Sequence, residues 1–370
     1  MLPAQSARGS VRAPSRAERA DRCPGVLRLT EGADGWLARV RLPGGLIAGP
    51  ALAGLADLAA ELGDPALELT SRGNLQLRGL PAGCSDELAD RLADLGLAPS
   101  PTHERVRNVA ASPLAGIDGG RDLTGLVRAL DAAICADPRL ADLPGRFQFA
   151  LDDGRGDVAG DADVAAVVRG DIAQVEGVRV AADEAPAVLV RAARAFLDER
   201  DEQGSNAWHV DELADGRARL RGRLGGRSPV TPRTGPPPRP IGRVGAALVV
   251  GVPLGRLTGD QAHWLAGHDT ELRITPWRRV VIPSADPVAQ PWTVGLITDP
   301  SSPWLSVTAC AGRPRCLQAR ADVQADAAAA LERFAGRRVH WSGCERRCGR
   351  PADVEVDVVA TAEGYAVSGD

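Results

Sequence analysis

The 370-residue sequence contains no lysine, and all 44 of its cationic residues are arginine. Every cationic contact is therefore a planar, forked guanidinium, which suits two-point binding of carboxylates. No apolar run approaches the roughly 20 residues of a membrane-spanning helix, so no span is expected. The net charge is −4, which argues against nucleic acid or an anionic membrane surface as a partner. No Gly-x-Gly-x-x-Gly follows a strand pattern, so a dinucleotide site within the chain is not expected. No secretory leader is visible, and the cysteine total is seven, an odd number. Both point to a reducing compartment, the cytoplasm, rather than to a disulfide framework.

What is present is ordinary in bulk, with 44 % hydrophobic and 25 % charged residues. The length allows two or three compact units. Residues 1–22 carry five arginines and no apolar core, and read as a disordered tail. Residues 223–243 are rich in Gly, Pro and Arg and read as an interdomain linker.

One unit occurs twice. Leu52, Leu55, Leu58 and Leu62 recur at helical spacing over Ala51 to Leu62, and Gly63 suits the C-cap. A strand–turn–strand follows through Leu67, Ser71-Arg-Gly-Asn74 and Leu75. Later in the chain Thr258-Gly-Asp-Gln261 fits a capping box opening a helix, Gly267 follows, and two strands flank Pro276-Trp277. Further helices are expected over residues 122–137, 186–200 and the alanine-rich 317–335, with a strand over 143–151. Helices alternating with short hairpins predict an α+β class with antiparallel pairing.

The most specific pattern is Cys310-x5-Cys316 and Cys344-x3-Cys348. Four thiolates at this spacing can hold one iron–sulfur cubane. A structural zinc would use tighter knuckles, and a disulfide pair would need an oxidising compartment; both stay open on spacing alone. Cys23, Cys84 and Cys135 have no partner at ligand spacing, and Cys135 lies in a helical apolar run. A lone histidine is more often structural than a ligand, and His103 and His340 are read so.

The hairpin Glu68 to Gln76, the Arg107-Asn108 loop, the run Leu143-Pro-Gly-Arg-Phe147 and the paired cysteines resemble the nitrite and sulfite reductase superfamily. Within it, Arg22-Cys-Pro-Gly-Val-Leu27, Arg41-Leu-Pro-Gly-Gly45 and the tail His340 to Pro351 make the chain similar to the precorrin-3B synthases of aerobic cobalamin biosynthesis. The resemblance implies two pseudo-symmetric ferredoxin-like half-domains with α+β catalytic regions around a cluster and a tetrapyrrole cavity. The implied division is a first half-domain segment at 23–82 and an α+β region at 83–222. A second half-domain segment follows at 244–285, then an α+β region at 286–370 carrying the cysteines.

The resemblance further implies a [4Fe-4S] cluster on Cys310, Cys316, Cys344 and Cys348. It places Arg72, Arg107 and Arg146 at substrate-binding positions, with Arg278 and Arg313 as further carboxylate candidates. Arg279 and Arg315 join them, and Arg78 reads as exposed. Gln148 stands where the reductases carry a second lysine. The implied reaction is oxygen-dependent conversion of precorrin-3A to precorrin-3B, fed by an external NADH-linked donor. A mononuclear non-haem iron is implied without an assigned ligand set. The alternatives are a siroheme-dependent sulfite or nitrite reductase, and a non-catalytic zinc- or cluster-binding protein.

Overall fold

The computed structural model describes residues 21, 23–227, 240–286, 288–351 and 353–369. The expected tail, residues 1–22, lies outside them except for Asp21, as do residues 228–239 of the expected linker.

The first half opens with β1 (Thr30–Gly32), β2 (Gly35–Val40), a short β3 (Leu46–Ala48) and helix α1 (Gly49–Leu62). The hairpin β4 (Leu67–Leu69) and β5 (Leu75–Leu80) follows, then α2 (Ser85–Asp94). The chain continues through β6 (Val109–Ala111), α3 (Thr124–Ala136), β7 (Phe149–Asp152), β8 (Val164–Arg169), β9 (Ile172–Val175), β10 (Val178–Ala181), α4 (Ala185–Glu202) and α5 (Gly216–Leu224). The second half repeats the order with β11 (Gly242–Val244), β12 (Ala247–Gly251), β13 (Arg256–Leu257), α6 (Gly259–Ala266) and the hairpin β14 (Glu271–Ile274) and β15 (Arg279–Ile282). It closes with β16 (Val307–Ala309), α7 (Val323–Ala329), β17 (Val339–Ser342), β18 (Val356–Thr361) and β19 (Gly364–Ser368). Among the described residues no helix is long and apolar enough to cross a membrane.

Local sequence chemistry accounts for much of this. In α1, Leu52, Leu55 and Leu58 are buried on one face. At α6, Thr258 Oγ1 accepts from Gln261 N at 3.3 Å while Gln261 Oε1 accepts from Thr258 N at 3.0 Å, the reciprocal bonds of a capping box. The two hairpin turns match: Thr70 Oγ1 accepts from Asn74 N, and Thr275 Oγ1 accepts from Arg279 N, both at 3.1 Å.

Two expectations need correction. The alanine-rich stretch 317–335 is helical only over Val323–Ala329, with a 3-10 turn at Leu331–Phe334. Residues before it are pulled into the cysteine loops instead, with Arg320 N bonded to Gly343 O at 2.8 Å. The strand expected over 143–151 begins only at Phe149, which leaves Arg146 and Gln148 on a loop.

The half-domain sheets are antiparallel and exchange a strand. Their orders are β1-β2-β5-β4-β13 and β11-β12-β15-β14-β3. Thus β13 of the second half pairs with β4, and β3 of the first half pairs with β14. One core runs through both, joining Leu52, Leu55 and Leu77 to Leu265, Leu272 and Val280. The exchange depends on Gly45, which sits at φ 71° just before β3. A Cβ there would lie 2.0 Å from the Ile274 carbonyl oxygen. Gly45→Ala is therefore expected to destabilise the fold by roughly 3 kcal/mol or more, combining left-handed strain with a backbone clash. Urea unfolding measures this, and an unchanged midpoint would refute the close approach.

Two further sheets flank this pair, ordered β10-β9-β8-β7-β6 and β16-β17-β18-β19. Here the expectation of antiparallel pairing fails: β6, β7 and β8 are parallel, as are β16, β17 and β18. Helices α3 and α7 provide crossovers between β6 and β7 and between β16 and β17, and such crossovers permit parallel neighbours. Arg107 and Arg146 precede β6 and β7, whereas Cys310 and Cys344 follow β16 and β17. The β4–β5 hairpin spans both places: Arg72 in its turn bonds Gln148, and Arg78 on β5 bonds the Arg315 carbonyl.

Candidate functional site

The cysteine loops grow directly from two parallel strands. Cys310 N donates to Trp341 O at 2.9 Å, extending the β16–β17 ladder by one step. Gly343 N–H then points at Cys310 Sγ, 3.1 Å away. Only a small residue fits at Gly343, because a Cβ would lie 2.7 Å from Ala319 Cβ. The loops interlock further through Arg313 N to Ala321 O at 2.8 Å. Cys310, Cys344 and Cys316 are all near enough to Cys348 to oppose its ionisation. Burial raises its thiol first, and Arg346 pulls the other way.

The four cysteines are free thiols on these interlocked loops, a soft four-sulfur donor set of the kind that an iron–sulfur core takes and that a structural zinc also accepts.

The second feature is a group of arginines without an ion-pair partner among the described residues. Arg39 on β2, Arg72 in the first hairpin turn and Arg146 before β7 have no carboxylate within ion-pair reach among the described residues. Arg72 donates to Gln148 Oε1 at 3.0 Å and to the Arg146 carbonyl at 3.3 Å. Arg39 donates to Gln76 Oε1 at 2.9 Å, and Arg146 lies over the Trp208 ring at 5.0 Å. Burial holds Arg39 and Arg72 below the usual guanidinium range, and their arginine neighbours push the same way. Arg41 behind them is pushed down to about 10 by burial. The Cys23 thiol accepts from Arg39 Nη1 at 3.6 Å and from Arg41 Nη2 at 3.4 Å.

The remaining candidates are placed differently. Arg107 is only 4 % exposed and makes a two-point ion pair with Asp131 of α3, both contacts at 2.7 Å. In this arrangement its fork is already filled, so it stands apart from Arg72 and Arg146. Arg278 sits at φ 59° in the second hairpin turn, beside Gly255, with no carboxylate in ion-pair reach among the described residues. Burial lowers it too. Arg313 is exposed, donates to the Ala319 carbonyl at 2.8 Å, and lines an open cleft of about 760 Å³ with Arg256 and Arg315. Arg315 pairs with Glu68 at 3.3 Å. Arg78, expected to be exposed, is buried at 8 % and bridges Asp34 at 3.0 Å to the Arg315 carbonyl at 2.7 Å.

Glu68 links the two features. Its Oε2 accepts from Gln76 Nε2 at 2.8 Å, on the Arg39 side, and its Oε1 faces Arg315 between the cysteines. The sequence reading missed Arg39, Gln76 and Glu68. A signal was there: polar residues at alternate positions in apolar strands, Arg39 and Arg41 on one and Gln76 and Arg78 on the other. An acidic group at Asp152, Asp153 and Asp157 was also missed, but it is a loop clasp. Asp152 accepts from Gly154 and Gly156 N at 2.8 and 2.9 Å.

Residues 28–95 match the nitrite/sulfite reductase ferredoxin-like half domain. The chain is 26 % identical to a ferredoxin–nitrite reductase of Synechococcus elongatus, covering 90 % of this chain and 78 % of the relative. It is 27 % identical to a precorrin-3B synthase of a Sinorhizobium species, covering 93 % of this chain and 82 % of the relative. The chain thus carries a match to that half domain and is similar, over most of its length, to a nitrite reductase and to a precorrin-3B synthase. A solved structure, the NirA protein of Mycobacterium tuberculosis, superposes with a TM-score of 0.70 over 90 % of this chain and 73 % of its own. At 22 % identity that likeness concerns the fold. Both relatives are named as enzymes, and both align across most of the length of this chain.

Proposed function

We propose that this chain is an iron–sulfur oxidoreductase acting on a carboxylate-rich tetrapyrrole, converting precorrin-3A to precorrin-3B in aerobic cobalamin biosynthesis. The observation that carries this reading is the group Arg39, Arg72 and Arg146, mutually repelling and without a carboxylate partner among the described residues, the first two half-buried and Arg146 exposed. Crowded cations of one sign are stabilised by an anionic ligand, and guanidiniums clamp carboxylates best. Precorrin-3A carries its carboxylates around the macrocycle rim, where separate arginines can take them singly. The likeness to a precorrin-3B synthase over 93 % of the chain supports the same reading.

Gln148 sharpens the choice of substrate. Its neutral amide takes Arg72 at 3.0 Å, where the resembled reductases have a lysine. A compact inorganic anion would lose one charge partner in a low-dielectric site, at a cost of several kcal/mol in its transition state.

In this reading Arg39, Arg72, Arg146 and Arg278 hold carboxylates and orient one edge of the macrocycle. Trp208 keeps the Arg146 fork in place. Cys310, Cys316, Cys344 and Cys348 would hold the [4Fe-4S] cluster, which supplies one-electron transfer when bound. The reaction balances with O2, two electrons and two protons. One oxygen enters at C20, the ring A acetate closes the γ-lactone, and the other oxygen leaves as water. The electrons come from an external NADH-linked donor, and the reaction runs in the cytoplasm. A mononuclear non-haem iron belongs to the same proposal, with no ligand set assigned to it.

Labelled O2 tests this. Anaerobically purified protein supplied with precorrin-3A, a reductant and labelled O2 is expected to place one labelled oxygen in a lactone-bearing product. The protein is expected to purify without a stoichiometric siroheme band. Copurifying siroheme with brisk sulfite or nitrite reduction would overturn the assignment in favour of a siroheme-dependent reductase.

A further inference from the structure

The sheet beneath the cysteine loops has a polar face with unfinished hydrogen bonding. Thr308, His340 and Asp357 lie opposite one another across β16, β17 and β18, and Ser342 follows two residues after His340. Alternation along strands puts all four on one face, in step with Cys310. The other face carries the apolar packing of Val339, Trp341, Val356 and Val358. On the polar face His340 Nε2, Ser342 Oγ and Asp357 Oδ1 are buried without a partner. His340 and Ser342 are both 0 % exposed. Buried polar atoms nearly always find a partner, so three orphans on one face mark an interaction still to be made.

His340 is the best oriented of the three. Its Nδ1 lies 2.8 Å from Thr308 Oγ1, whose other neighbour, the Val339 carbonyl, is farther at 3.2 Å. The tautomer in which Thr308 donates to Nδ1 leaves the ring's own N–H on Nε2, which is buried without a partner. The main chain of Cys348 is the backbone group that meets the ring.

The loop it faces is lightly held. Arg347 adopts φ 46°, Cys348 is exposed, and the loop's own backbone bonds are long, Arg347 N to Cys344 O at 3.3 Å and Arg350 N to Arg347 O at 3.2 Å. Its firmest tether is Asp357 Oδ2, which takes Arg350 at 2.6 Å and Arg347 at 3.6 Å. That tether lies directly across the sheet from His340.

We propose that His340 is a positioning residue for the fourth cluster ligand, its Nε2–H taking the Cys348 main-chain carbonyl and pinning the Cys344–Cys348 loop to β17. The proposal rests on the cluster reading above. It assigns a task to a histidine that sequence alone leaves as core packing. Asp357 holds one side of the loop through arginines, and His340 holds the other at the ligand itself.

Two near-isosteric variants separate the ring nitrogens. His340→Gln keeps an N–H near the Nε2 position, whereas His340→Asn reaches only the Nδ1 position. Full-length proteins are reconstituted anaerobically with iron and sulfide. Loss of iron to a chelator and the EPR signal of the reduced cluster are then followed. His340→Asn is expected to lose iron about tenfold to a hundredfold faster than the parent, the range found for groups that orient metal ligands, with a broadened signal. His340→Gln is expected to stay near the parent. Equal retention in both variants and the parent would overturn the proposal, as would His340→Gln being as labile as His340→Asn. Thermal melting of the iron-free proteins guards against simple misfolding. If His340→Asn does not fold, Thr308→Val serves instead: it leaves the ring but frees its tautomer, and faster iron loss supports the proposal while parent-like retention overturns it. A parent chain that takes up no iron would defeat the cluster reading itself, a separate outcome.

Discussion

A Cys344→Ser chain is expected to purify folded and without the broad visible absorbance of an iron–sulfur cluster. The same holds for serine at Cys310, Cys316 or Cys348. Serine oxygen is a poor ligand for iron that prefers soft thiolates, and the four sulfurs are supplied by two interlocked loops with no spare cysteine among them. Cys84 and Cys135 cannot substitute. Burial raises both thiols, which keeps them protonated and inert. Alanine at Cys84 or Cys135 is therefore expected to leave the absorbance intact. Cys23 lies with Arg39 and Arg41, and its alanine variant should also keep the cluster. Iron and sulfide analysis beside the spectrum decides the matter. A parent protein holding one zinc and no iron would sink the cluster.

The second large effect concerns the unpaired arginines. Alanine at Arg39, Arg72 or Arg146 is expected to weaken tetrapyrrole binding about tenfold to a hundredfold each, since a charge-assisted hydrogen bond contributes roughly 1.5–3 kcal/mol. Lysine at the same positions should restore only part, because an ammonium cannot form the fork. The ligand-free variants should melt no lower than the parent, and higher at low salt, because removing one of three like charges relieves repulsion. Arg107→Ala should behave in the opposite way. It strands a carboxylate whose partner is buried, so it should cost roughly 3 kcal/mol of stability. Equilibrium binding and melting curves on the four variants separate the two behaviours. Unchanged affinity in all three of the first set would rule out the role.

Legibility followed range along the chain. The α6 capping box, the leucine face of α1 and the paired hairpins are each written within a dozen residues, and each formed as read. The alanine-rich stretch before Gly336 misled because composition favours helix, while its first residues are drawn away by backbone bonds to the cysteine loops. The β3–β14 and β13–β4 pairings could not be read, since each partner lies in the other half. The same limit applied to side chains. The cysteines declare themselves by spacing. That Asp131 fills the Arg107 fork, or that Arg39 has no such partner among the described residues, depends on which segments meet in space.

The mutual loan of β3 and β13 has a consequence for how such a chain can be assembled. Each half-domain sheet is short by one edge strand until the other half is present, so neither is a self-sufficient folding unit. Sheet closure must bring Leu46 to Arg273 across more than half the polypeptide, a contact order that favours slow, late consolidation. The lent strands also cover what would otherwise be open sheet edges, and so discourage pairing between molecules. Duplication supplied two similar halves; the exchange made them inseparable.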